Sequence, residues 1–161
     1  MSECPVRGWS RDFAKLCAVK RGQAKISTAA EANYLADVAL AARFTELLNQ
    51  AQLAEQQFRH AQAAGEPDGV QYPLADALDK ALTDVTRAAY AAQRAEIGPR
   101  GYDDRIYRRK AMATGPVQAW TREAERLLTL RETHRLAGFP PRPEAAALGV
   151  PIARLPATGH A

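Results

Sequence analysis

Arg105 and Arg109 stand four residues apart, with Arg108 and Lys110 beside them, and Arg122 with Arg126 and Arg131 with Arg135 repeat that spacing. On a helix this puts two guanidinium groups one turn apart on the same face, where like charges cost roughly a few tenths of a kcal/mol per pair. A stripe built at that cost points either to nearby acids or to an external anion. Arginine suits the external anion, because its planar fork grips phosphate or carboxylate oxygens two at a time. Lys20 and Arg21, with Arg11, Lys15 and Lys25, make a second basic cluster. Trp9, Tyr102 and Tyr107 lie close in sequence to these groups and offer rings on which bases stack. Three occupants fit such a surface: a nucleic-acid backbone, an acidic protein surface, or water alone, with Glu123, Glu125 and Glu132 neutralising part of the charge.

The charge is segregated along the chain. Residues 1–25 carry six bases against two acids, +4, whereas residues 28–64 carry two against four, −2. Residues 65–97 carry three against six, −3, and residues 98–137 carry nine against five, +4. The last 24 residues add +1, for the net +4 of the 161-residue chain. A compact fold of such a chain has a strong bipolar field, which steers partners.

Other chemistry is poorly represented. There is no Gly-rich phosphate loop, no Ser/His/Asp set and no Cys/His pair. His60, His134 and His160 are scattered without ligand spacing, so neither a metal nor a cofactor is expected. Acids such as Asp76, Asp79 and Asp84 sit on the outward face of a candidate helix, where solvation accounts for them. Cys4 and Cys17 read as free thiols of a reducing compartment. The C-terminal "LPATG", Leu155 to Gly159, matches a sortase pattern but is followed by two residues rather than an apolar span. The chain is read as non-enzymatic and cytosolic. Neither a signal layout nor an apolar run of about 18 residues is present to suggest a membrane.

The elements that must position the bases are helical. The composition is Ala-rich and poor in β-branched and aromatic residues, which favours helix because Ala loses no side-chain entropy on entering one. A first helix is expected over residues 10–19. A second begins at a Thr28–Glu31 capping pair and runs about 35 residues to Gly65, with Leu40, Phe44, Leu47, Ala51, Ala54, Phe58 and Ala61 in one seam. A third begins at Pro73 and carries Leu74, Leu78, Ala81, Val85, Ala88 and Ala92 until "IGPRG" ends it. The two seams form an antiparallel hairpin. A helix opened by Asp103 and Asp104 and closed by Arg108, Arg109 and Lys110 suits its own dipole. After "TGP", the final helix presents Val117, Trp120, Ala124, Leu127 and Leu128. "GFPP" stops it near Ala137, and five of the ten prolines follow. The reading is thus an all-α helical bundle over residues 1–137 and an extended Pro-rich arm over 138–161.

Across "IYRRKAMATGPVQAWTREAERLL" the chain resembles the small, all-helical subunits of multi-subunit CRISPR effector complexes. In the type III members a basic helix reaches a glycine and a Gln-Ala-aromatic helix follows. Gly115 and Gln118-Ala119-Trp120 stand in that pattern here, with Arg105, Arg108, Arg109 and Lys110 upstream. The resemblance implies a structural subunit of a ribonucleoprotein that touches RNA or DNA backbone without reading sequence, among other protein subunits and copies of itself. The alternative is a structural or adaptor protein of a phage particle or similar assembly, with the hairpin as its oligomerisation element.

Overall fold

The computed structural model describes residues 26–137 and 139–140. The helix expected over 10–19 and the Pro-rich arm fall outside those residues, apart from Phe139 and Pro140. Every element among the described residues is α-helical: α1 (Thr28–Ala42), α2 (Phe44–Ala63), α3 (Asp68–Ile97), α4 (Arg100–Asp103), α5 (Arg105–Ala111) and α6 (Gly115–Ala137).

The expected cap of α1 is displaced by one residue. Ser27, not Thr28, is the N-cap, and its hydroxyl oxygen accepts from the Ala30 amide at 3.1 Å. In a capping box the glutamate of the first turn would bond back to the cap residue's own amide. Here Asp103 does so from 76 residues away, accepting from the Ser27 amide at 2.7 Å and from its hydroxyl at 2.9 Å. A long-range carboxylate has taken the place of Glu31.

The single long helix expected up to Gly65 is interrupted at Arg43. Its amide bonds to the Leu40 carbonyl at 3.1 Å, one tight turn, before Leu47 bonds back to Arg43 and α2 proceeds. Neither glycine nor proline lies there. The two sides of the break have different neighbours: α1 packs on the last turns of α3 and on α4, while Phe44 and Phe58 of α2 meet Trp120 and His134 of α6 edge-on. Gly65 ends α2 in a Schellman motif, with φ of 68°, the Glu66 amide bonding to Ala61 and the Gly65 amide to Gln62. Glycine is suited to that left-handed position because it has no Cβ to clash.

α3 starts five residues earlier than the Pro73 rule predicts. Pro67 is its N-cap, in extended conformation, and its carbonyl accepts from Val70 and Gln71. Asp68 in the first turn complements the dipole. Pro73 then lies inside the helix, exposed, where the carbonyl left without its amide is near the helix start.

α3 is the centre of the bundle, packed against α1, α2 and α6, and α2 and α6 also meet through their rings. α6 runs antiparallel to α3. Gln93, late in α3, donates to Thr121, early in α6, while Arg135, late in α6, pairs with Asp79, early in α3. The expected seam residues Leu78, Val85, Ala88 and Ala92 are buried, and so are Ala75, Leu82, Ala89 and Ala91 on further faces. The small side chains of Ala88, Ala89, Ala91 and Ala92, on either side of Tyr90, let neighbouring helices close around α3. Val117, Ala124 and Leu127 complete the core from α6. The buried polar groups are matched, Gln93 with Thr121 at 2.6 Å and Thr86 with the Leu82 carbonyl.

Candidate nucleic-acid interface

α4 is a single turn pinned to the bundle at three points, and α5 projects from it. The first point is the Ser27–Asp103 clamp. The second is Asp37 of α1, whose carboxylate accepts two bonds from the Arg94 guanidinium of α3, each 2.7 Å, and one from the Tyr102 hydroxyl of α4. The third is Gly101, where a Cβ would fall 2.3 Å from the Ile97 side chain, so the turn lies directly on the end of α3. Tyr102 also meets Tyr34 edge-on at 6.5 Å.

Burial pushes the Asp37 carboxyl up, but the Arg94 and Tyr102 hydrogen bonds and the Arg94 charge outweigh it and hold the carboxyl below its ordinary value of 3.8. Burial, then the adjacent Asp37 carboxylate, push the Tyr102 phenol up. A carboxyl held low in the fold stabilises it above the unfolded value and loses that contribution as pH falls through the folded one. Asp37→Asn is therefore expected to cost about 1–2 kcal/mol near neutral pH, by weakening a charge-assisted network. The loss should shrink as pH falls below the ordinary carboxylate value and on toward the lower one of the folded protein. Thermal melts from pH 3 to 7 check this; an unchanged difference across that range would show that the Asp37 charge contributes nothing.

Asp104 caps α5. Its carboxylate accepts from the Tyr107 amide at 2.8 Å and pairs with Arg100 at 3.0 Å, and the amide bond above all holds its pKa below the usual range. The Arg100 guanidinium also lies over the Tyr107 ring, 5.0 Å from its centroid. Both acids at the head of this segment, Asp103 and Asp104, are thus committed to structure and not to the bases that follow.

Those bases are left open. Arg105, Arg108, Arg109 and Lys110 are all exposed, and none forms an ion pair with a described residue. α5 buries no residue at all. Arg105, Ile106, Arg109 and Lys110 line an open depression in which Ile106 is 69% exposed. Such a surface presents several cationic forks and one apolar side chain to whatever lies against it.

The α6 arginines are placed differently. Arg126 makes a two-pronged pair with Glu123, at 2.7 and 3.0 Å, and Arg131 pairs with Glu132 at 2.8 Å. Arg135 reaches across to Asp79 on α3, at 2.6 and 2.9 Å, and holds that carboxyl low. Arg122 alone of this group is exposed without an ion pair to a described residue. Lys20 and Arg21 lie outside the described residues, as does Trp9. Tyr102 is occupied within the fold, which leaves Tyr107 as the described ring nearest the open bases.

Three residues that shape this site carried no sequence signal: Ser27, Asp37 and Arg94, whose partners are 57 to 76 residues away. Arg100 was missed as well, although its pairing with Asp104 four residues on is readable from spacing. Among the described residues no group of histidine, cysteine, aspartate or glutamate is arranged to hold a metal, and no helix is long and apolar enough to cross a membrane. The chain matches no family model, no curated protein and no solved structure.

Proposed function

We propose that the protein is a non-catalytic helical subunit of a cytosolic nucleoprotein assembly, of the kind its resemblance to CRISPR small subunits suggests. It meets nucleic-acid backbone through α5 and does not read sequence. The observation that supports this is the division among the bases. Those on α5 are exposed and unneutralised on a projecting helix, while the acids nearest them are committed to capping and clamping. Cationic forks free of local acids are what phosphate oxygens need.

A second reading, an adaptor in a particle or filament built through the long helical hairpin, draws on Leu35 and Leu53. They are 59% and 55% exposed on α1 and α2. On that reading the partner is protein, and the hairpin that α1 and α2 make with α3, bearing these two outward leucines, is the docking element.

The two separate on salt. Anisotropy with labelled single-stranded and duplex DNA and RNA of about 20 nucleotides should show binding that weakens steeply between about 50 and 200 mM salt, with little sequence preference. Affinity absent, or independent of salt, sinks the nucleic-acid reading.

A further inference from the structure

Resting on the reading of α5 as the nucleic-acid-binding element, we infer that Ile106 seats the face of one nucleobase. The preferred ligand is then a strand with unstacked bases and not a closed duplex. Ile106 is 69% exposed on a helix that buries no residue. At about 100° per residue, Arg105 and Arg109 flank it on one side and Lys110 on the other, and the four line the open depression. Arg108 lies about 200° round from Ile106, beside Arg94, Ile97, Gly101 and Tyr102 at the end of α3. The face that carries Ile106 is therefore the one turned away from the bundle. An isoleucine there adds nothing to the packing of the described residues. α5 is held without it, by the Asp104 cap and the Arg100–Asp104 pair.

The lining holds three cations, one apolar side chain and no acid. Asp103 and Asp104, the nearest acids in sequence, are committed to Ser27, the Tyr107 amide and Arg100. A surface of that composition fits a ligand whose negative charges flank an apolar plane. A strand with unstacked bases is such a ligand, since each base stands between two backbone phosphates and shows a π-face. A closed duplex is not. Its base faces are spent on one another, and the apolar group its major groove offers an isoleucine is the thymine methyl. A thymine contact would read sequence, whereas a base face is available at every position of an unpaired strand. Tyr107 is the less suited seat, because the Arg100 guanidinium already lies over its ring, 5.0 Å from the centroid. Arg105 to Lys110 covers about 8 Å along α5, which limits the seat to one base.

The test measures affinity and salt slope of the full chain, with the folding of each variant checked by circular dichroism. The labelled ligands, about 20 nucleotides or base pairs long, are unpaired DNA, unpaired RNA, a duplex, and an abasic strand that keeps its phosphates and sugars. Wild type should bind the unpaired strands several-fold more tightly than the abasic strand or the duplex at about 150 mM salt. Ile106→Ser should weaken binding of the unpaired strands by about 5- to 10-fold at an unchanged slope, and leave the other two ligands within about 2-fold of wild type. Ile106→Leu, which keeps the apolar surface, should hold most of the wild-type affinity. Unchanged binding of both unpaired strands by Ile106→Ser overturns the base seat. An equal loss on the abasic strand or the duplex overturns it too, as does a wild type that prefers the duplex. In each of those cases the α5 reading stands if Arg105→Ala with Arg109→Ala lowers the duplex slope by about 2. If no ligand shows salt-sensitive binding to wild type, the α5 reading falls and the seat falls with it.

Discussion

Replacing Leu127 by alanine is expected to destabilise the protein by about 2–5 kcal/mol. Leu127 is 1% exposed and belongs to the core cluster of the described residues in which α2, α3 and α6 meet. Removing its terminal isopropyl group costs the transfer free energy of the lost carbons plus the void left behind. The void closes poorly here, because its surroundings are helix backbones already brought close by Ala88, Ala89 and Ala124. Urea denaturation of the isolated chain measures the effect as a lowered midpoint at constant slope. Leu47→Ala, on the α2 side of the same cluster, should fall in a similar range. Near-zero costs at both positions would mean that the chain does not hold this bundle by itself and that α6 docks only within an assembly.

The core was largely legible because its signal is periodic and local. Phe44, Leu47, Ala51, Phe58 and Ala61 in α2 and Val117, Ala124 and Leu127 in α6 are buried where three-and-four spacing places them. In α3 the same spacing picked out one face of a helix that is buried on several. A stripe of alanines carries little contrast between an inward and an outward position, so the expected seam leaves out Ala89 and Ala91 although nothing of them is exposed. The ends of helices were harder. Propensity places Pro73 at a first turn, but the extended backbone of Pro67 and the charge of Asp68 start α3 earlier. The break at Arg43 has no local cause at all and follows from what α1 and α2 each pack against.

The candidate site was legible in its residue types but not in their availability. Equal spacing made Arg105 with Arg109 look like Arg131 with Arg135. What separates them is partly tertiary: Arg135 finds Asp79 across the α3–α6 contact and Asp103 is drawn off by Ser27, while locally Glu132 holds Arg131 and the Tyr107 amide engages Asp104. Asp104 gives its other oxygen to Arg100, so neither acid is left for the bases of α5. The positive charge open to an external anion therefore shifts from the arginines of α6 to the projecting α5.

That shift makes two sets of substitutions diverge. Arg105→Ala, Arg108→Ala, Arg109→Ala and Lys110→Ala combined should lower the duplex salt slope by about 3–4 and weaken binding by about 10²-fold at low salt, uniformly across sequences. Their thermal melt should stay close to wild type, since none of the four is buried or paired with a described residue. Arg126→Ala, Arg131→Ala and Arg135→Ala combined should act mainly on stability. Exposed pairs contribute roughly 0–1 kcal/mol each, and the Arg135–Asp79 bridge, with Asp79 16% exposed, belongs at the upper end. Freed Glu123, Glu132 and Asp79 also make that surface more acidic, which by field alone weakens polyanion binding slightly. The discriminating quantity is the ratio of the two effects on affinity, which should favour α5 by at least about 10-fold. If the α6 set costs as much affinity as the α5 set while both variants stay folded, the arginines of α6 leave their acids for the ligand, and the interface extends along the whole basic stripe.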